Sequence, residues 1–392
     1  MQPFPRKIAL VHDWFSIYSG SERVVEQILK LYPQADLFSL VDFVPPDQRA
    51  FLQGKPVQTS FIQHLPFARR HFRQYLPLMP LAIEQFDLSS YELVISSSHA
   101  VAKGVITGPD QLHVSYIYTP IRYAWDMRTE YLRESHMEKG LKSSLTRLIL
   151  HYIRLWDQRT MNGVDAAAVI SRFIARRVWK IYRREAQVIY PPVDIHSFFC
   201  VEEKEPYYLA VSRLVPYKKM DVIVQAFAEM PNRKLVIIGD GPEFARIRRM
   251  ATPNIEVLGY QPTEVVVTKM QKAKAFLFAA QEDFGITPLE AQACGTPVIA
   301  YHKGGTSETI RGLDATQPTG LFFEEQTPQS IMQAVEQFET VAGRLTTQAC
   351  RKNAERFAPE IFREKFAAFV TTAWETFQSN LNREQRERLP GQ

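Results

Sequence analysis

The chain has 392 residues, a formal net charge of +5, and 45% hydrophobic against 23% charged residues. That length exceeds one comfortable core, so two domains are expected, and the composition is that of an ordinary globular protein. The mild basic excess suits an anionic ligand or membrane surface. The basic residues are not interleaved with aromatics along one strand or helix, which argues against a nucleic-acid partner. The three cysteines, Cys200, Cys294 and Cys350, lie far apart with no C-x-x-C pair. Their spacing disfavours a zinc site or a disulfide framework and fits a reducing, cytoplasmic compartment. No stretch approaches the roughly 20 apolar residues of a spanning helix, and the first apolar run is too short for a signal-peptide core.

In chain order, residues 7–12 read as a buried strand, 22–31 as a helix with Val24, Val25, Ile28 and Leu29 on one face, and 35–41 as a second strand. Residues 44–86 are proline-rich and mixed, and read as an insertion that carries Arg69, Arg70 and Arg73. Further strands are expected at 93–97, 114–118 and 166–171, and a helix at the arginine-rich 172–180. Prolines and charges from Tyr190 to Pro206 mark a linker, with the boundary near 195. The pattern then restarts, with strands at 208–211, 235–238, 255–258, 275–278 and 298–300 and helices between them, ending on a helix over 359–378. Alternating strands and helices predict parallel sheets covered on both faces, and ligands of such sheets bind at the C-terminal ends of the strands.

The sharpest segment is Gln281-Glu282-Asp283-Phe284-Gly285-Ile286-Thr287-Pro288-Leu289-Glu290-Ala291, which follows a strand and opens a helix. Thr287 is the expected N-cap and Pro288 the first helical residue. Backbone N–H groups around Gly285, Ile286 and Thr287 would then form a phosphate site, with Gly285 allowing close approach. The same letters also read as a capping box in which Glu290 turns back to its own helix start. After the strand at 208–211 come Arg213 and Lys218, with Lys219 adjacent. Alone they read as surface charges; at a strand end they suit a diphosphate, Arg as a fork and Lys as a point charge. Gly239-Asp240-Gly241 reads as a tight turn. No Asp-x-Asp occurs, so no metal site is expected.

Glu282 and Glu290 with the residues between them, the run from Gln292 to Ala300, and Gly304-Gly305-Thr306-Ser307-Glu308-Thr309 resemble the hallmark segments of the retaining glycosyltransferases of family four, which have the GT-B fold. The resemblance implies an α/β chain of two Rossmann-like domains facing across a cleft. It assigns an acceptor-side domain to 1–195, a nucleotide-sugar-binding domain to 196–358, and to 359–392 a helix and polar tail returning toward the first domain. It gives Glu290 the donor ribose, Glu282 and His99 the donor sugar, and Arg213 and Lys218 the diphosphate. Gly239, Leu258 and Phe284 through Thr287 border the donor. Relatives carry two glycines where this chain has Ser19-Gly20; Gly20 keeps the phosphate contact, and Ser19 would be strained if its position needs positive φ. Tyr118-Thr119-Pro120 and Arg122-Tyr123-Ala124-Trp125-Asp126 resemble segments of a mannosyltransferase-like subgroup acting in surface-polysaccharide assembly, and Tyr118 stands where relatives often have His.

The implied activity is metal-independent transfer of a hexose from a nucleoside diphosphate sugar, GDP-mannose ahead of UDP-glucose, to a glycan or lipid-linked acceptor. The rival is a nucleotide-sugar epimerase. A dinucleotide oxidoreductase is disfavoured because neither half supplies a G-x-G-x-x-G turn after a strand. For Arg172, Arg176, Arg177 and Lys180, two readings stay open: a solvated helix face, or peripheral attachment to anionic lipid on the inner face of the membrane.

Overall fold

The protein is represented by a computed structural model that describes residues 4–126 and 140–387, so the end of the expected polar tail lies outside the described residues. The chain separates into two compact units, Met1–Pro191 with Phe362–Gln392, and Pro192–Ile361.

The first unit is built on a seven-stranded sheet. In chain order its strands are β1 (Ile8–His12), β2 (Asp36–Ser39), β3 (Val57–Thr59), β4 (Leu93–Ser98), β5 (Leu112–Ile117), β6 (Ala166–Val169) and β7 (Gln187–Val188). They lie in the order β3-β2-β1-β4-β5-β6-β7, every pair parallel. Strands β1, β4 and β5 are buried at every position, as expected where helices cover both faces. The helix Gly20–Leu31 lays Val24, Val25, Ile28 and Leu29 into the core.

Residues 44–86 are not an insertion. They supply β3, which extends the sheet through the pair Leu37↔Val57, and they bury Phe51, Leu52, Ile62, Phe72 and Met79. The arginine-rich stretch forms the helix Arg172–Tyr182, capped by Ser171 Oγ accepting from the Ile174 N–H at 3.1 Å.

The second unit has six parallel strands: β8 (Tyr207–Val211), β9 (Lys234–Ile238), β10 (Ile255–Val257), β11 (Ala275–Phe278), β12 (Val298–Tyr301) and β13 (Gly320–Phe323). Their order, β10-β9-β8-β11-β12-β13, is that of a Rossmann domain. The strand order reverses between β8 and β11, and in the first unit between β1 and β4. Neighbouring strands there send their chains to opposite sides, which opens a crevice at their C-terminal ends.

The last helix, Pro359–Glu387, starts in the second unit and belongs to the first from Phe362 onward. Phe362 and Phe366 stand edge-on to Tyr116 at 5.6 and 5.9 Å, and Arg363 donates to Gln27 Oε1. Phe366, Val370 and Trp374, at helical spacing, complete the buried face.

Candidate functional site

In the second unit the candidate donor residues collect at the reversal point. Ser212 and Arg213 leave β8 there, and Glu282 lies just beyond β11. Leu214 N–H donates to Asp240 O at 2.9 Å and Gly239 N–H to Gly259 O at 2.8 Å, so the turn after β9 is clamped between the chain leaving β8 and the chain leaving β10. A Cβ on Gly239 would lie 1.8 Å from Ser212 O, and its φ of +143° is one that side chains rarely adopt. The turn is therefore glycine-dependent, and it holds exposed Arg213 at the sheet's edge.

A short 3₁₀ turn, Pro216–Lys218, then brings the Lys218 ammonium onto the Glu282 carboxylate, over the Phe278 ring at 5.7 Å. Lys219 takes a different role, with φ +56° at the start of the helix Met220–Ala228. Of the two adjacent lysines it is Lys218 that meets Glu282.

The helix that follows β11 is Ile286–Ala293, and its N-cap is Gly285, not Thr287. Gly285 has φ +93°, which supplies the turn that a capping side chain otherwise would. Thr287 and Pro288 are thus inside the first turn, and Glu290 sits at the fifth helical position, so the Thr287–Glu290 capping box does not form. The N–H groups of the first turn have no intrahelical acceptor and point out of the helix start.

What fixes this loop is Gly304-Gly305. The Gly305 N–H donates to Glu282 O at 2.7 Å, and a Cβ on Gly304 would lie 2.3 Å from the same oxygen. Behind the helix, buried Gln292 donates to Thr309 O at 3.1 Å and accepts from Asn353 Nδ2 at 2.7 Å. Buried Gln292 and Asn353 thereby pin three helices together, and neither residue's role was visible in the local sequence. Leu258 uses its N–H on Ile237 O at 2.9 Å and its carbonyl on Gln261 Nε2 at 2.9 Å.

The first unit builds a second polar centre at its own reversal point. Asp13 follows β1 and is fully buried. Its carboxylate accepts four successive backbone N–H groups, from His99, Ala100, Val101 and Ala102, at 2.5, 3.0, 2.6 and 2.7 Å. His99 Nδ1 lies 3.0 Å from the same carboxylate, with its ring edge-on to Trp14 at 4.5 Å. Burial opposes charge on both groups, but their mutual attraction and hydrogen bonding outweigh it. The Asp13 carboxyl is held well below its usual range and the His99 imidazole is raised above its own. With Nδ1 turned to Asp13, Nε2 is the ring atom left for a ligand. The structural weight of Asp13 is not legible in the local sequence; the only signal is an acid closing one strand and a histidine closing another.

Beside it, buried Glu22 accepts from Ser19 N–H at 3.1 Å, Ser19 Oγ at 2.7 Å and Ser21 Oγ at 2.9 Å, and lies 3.6 Å from His12 Nε2. Burial would raise its pKa; the adjacent His12 ring and the hydrogen bonds from Ser19 bring it down to about 2. Glu22 therefore adds stability above the ordinary carboxylate range that is lost as pH falls through about 2. Ser19 has φ −146°, an extended conformation without strain, so the departure from a glycine pair is absorbed by capping the helix that begins at Gly20. Tyr118 donates to Ser21 O at 3.1 Å and shares a bond with Ser97 Oγ at 2.8 Å.

Residues 195–357 match the family described as glycosyl transferases group 1. The chain carries a glycosyl transferases group 1 domain. A GDP-mannose-dependent monoacylated alpha-(1-6)-phosphatidylinositol monomannoside mannosyltransferase of Corynebacterium glutamicum is 36% identical over 128 residues, 29% of this chain and 32% of that protein. A GDP-mannose-dependent alpha-(1-6)-phosphatidylinositol monomannoside mannosyltransferase of Mycolicibacterium smegmatis is 32% identical over 184 residues, 39% of this chain and 48% of that one. These matches span less than half of either relative's length. Sucrose-phosphate synthase of Thermosynechococcus elongatus shares the fold over 95% of this chain and all of its own, with a TM-score of 0.70 at 16% identity. HepE of Anabaena, in complex with UDP and glucose, gives 0.65 at 15% identity over 93% and 99%. Both establish two Rossmann-like domains of the GT-B type and nothing of substrate.

Proposed function

We propose that the protein transfers a hexose from a nucleoside diphosphate sugar to a glycan or lipid-linked acceptor, with retention at the anomeric carbon. The observation that carries this reading is the assembly at the β8/β11 reversal point: Arg213, Lys218 and the start of the helix Ile286–Ala293, all on one edge of one sheet. Two fixed cations and outward N–H groups suit a diphosphate whose charge grows as it leaves. They offer that stabilisation without a divalent ion. Glu282, paired with Lys218, is a positioning group for the sugar and not a nucleophile. The departing phosphate oxygen can take the acceptor's proton on the same face, so retention needs no dedicated base. His99 offers Nε2 to a sugar hydroxyl. GDP-mannose is the preferred donor, on the GDP-mannose dependence of the two similar mannosyltransferases, with UDP-glucose second.

The test is incubation with each labelled nucleotide sugar and a glycan acceptor in excess chelator. Transfer at full rate is the expected result. Rate lost on chelation and restored by magnesium would overturn metal independence, and conversion of the donor without acceptor would replace transfer by epimerisation.

Glu290→Gln is expected to leave the melting temperature of the free protein unchanged, since no capping box depends on it. Donor affinity should fall by about 1–3 kcal/mol, the loss of a charged hydrogen bond to the ribose. Calorimetry of nucleoside diphosphate binding checks it; unchanged affinity would remove Glu290 from the donor site.

A further inference from the structure

The first unit contains a long helix, Leu141–Thr160, with two apolar faces. One is ordinary: Leu150, Ile153, Trp156 and Thr160 are buried against the unit's core. The other faces solvent. Leu141, Leu145, Leu148, Tyr152 and Leu155 are 47–91% exposed, and they account for five of the fifteen large hydrophobics that the described residues expose. Their spacing of four, three, four and three residues puts them in one stripe, within an arc of roughly 80° at 3.6 residues per turn. Isolated exposed leucines need no explanation, whereas an unbroken stripe four turns long does.

We propose that this stripe docks the protein on the surface of a bilayer carrying anionic headgroups. Charge decides between this and other occupants. The ionisable residues on the helix besides the stripe's Tyr152 are Lys142, Arg147, His151, Arg154, Asp157 and Arg159. The one acid among them, Asp157, is fully buried and paired with Lys103. The solvent side of the helix therefore presents leucines with basic flanks and supplies no acid of its own; Glu84, from the adjoining segment, pairs with Arg159 at 3.0 Å. Two copies laid stripe to stripe would bring like charges together, while an anionic surface meets both the leucines and the cations. Tyr152 in the stripe suits the headgroup level, where an amphipathic ring is half wet.

The adjoining segment repeats the chemistry. Glu84 accepts from Trp156 Nε1 at 2.7 Å and from Arg159 at 3.0 Å, which seats the segment beside the helix. Upstream of Glu84 the segment exposes Phe67, Leu78 and Leu81, together with Arg69 and Arg70. Among the described residues no helix is long and apolar enough to cross a membrane, so the contact is one of lying on the surface.

Flotation of the full chain with vesicles tests the assignment. The protein should float with vesicles of phosphatidylcholine mixed with phosphatidylglycerol, and much less with phosphatidylcholine alone. Leu145→Ser/Leu148→Ser should weaken that binding at least about tenfold, since each loses a buried leucine's contribution. Lys142→Glu/Arg147→Glu should weaken it and remove its salt dependence. Both changes are on exposed positions and should leave the melting temperature in place. Failure of the unaltered protein to float with mixed vesicles would overturn the proposal. So would binding that survives the leucine changes, or a dimer in light scattering that those changes convert to a monomer, which would assign the stripe to a second copy.

Discussion

Lys218→Ala is expected to cut turnover by roughly 10²-fold or more, the scale of one fixed electrostatic contact to a developing charge. The structure adds a reason for this to exceed the effect of Arg213→Ala. Lys218 rests on Glu282, so its removal takes a cation from the diphosphate site and leaves a carboxylate without its counter-charge in the same place. The departing diphosphate then meets repulsion where it had attraction. Arg213, at the strand end, has no ion-pair partner among the described residues, and its loss removes attraction only. Pairing the change with Glu282→Gln should recover part of what Lys218→Ala loses, because contacting charges are not additive. The pair is partly exposed, so the melting temperature should hardly move while kcat falls and KM for the donor rises. Steady-state kinetics on the two single variants and the double variant decide it. Wild-type turnover in Lys218→Ala would withdraw both the phosphate grip and the role given to Glu282.

The fold was legible wherever a strand is buried on both faces. The runs ending at His12, Val211 and Phe278 carry their assignment in continuous apolar letters, and the restart after the Tyr190–Pro206 linker showed that two sheets were present. What could not be read was edge structure. Val57-Gln58-Thr59 is three residues long and only half-buried, so β3 has no hydrophobic pattern to declare it. The helix start after β11 was misplaced for a different reason. Local rules favour Thr287 as cap and Pro288 as the next residue, but Gly304 and Gly305 pack directly on the backbone of residues 282–284 and set the turn at Gly285. A tertiary contact overrode a local preference. The choice of Lys218 over Lys219 rests on motif position; in the structure Lys218 meets Glu282, while Lys219, with its left-handed backbone, starts a helix. Asp13 was the largest omission, since its meaning lies in N–H groups 86 to 89 residues away.

Asp13→Asn is expected to be the most destabilising single change in the first unit, by roughly 3 kcal/mol or more, because it disturbs several charge-assisted bonds at a fully buried position. An amide oxygen can still accept from two of the four N–H groups, but its NH₂ then faces the donors of the others. The effect on His99 runs in a definite direction. In the intact pair, Asp13's depressed pKa adds stability at pH values above the ordinary aspartate value, lost as pH falls through the lower folded value. The raised pKa of His99 adds stability that is complete below the ordinary histidine value, about 6.5, and is lost as pH rises through the higher folded one. Between those two ordinary values both contributions are present. Without the carboxylate, burial and the Arg73 charge oppose the protonated His99 and only the Glu22 charge still favours it, so its titration should move down from its raised position. Nitrogen-15 NMR of the imidazole across that range reads the shift, and urea unfolding of the full chain reads the stability. A variant in which His99 still titrates where it does in the intact protein would show that Asp13 does not hold that proton. The same construction then separates the two units chemically. Each places an acid against a base across the reversal of its sheet, Asp13 with His99 and Glu282 with Lys218, but the first pair is buried and anchored on backbone while the second is open at its edge. The anchored pair fixes the orientation of one ring, and the open pair, on the proposed function, exchanges its partner for a diphosphate.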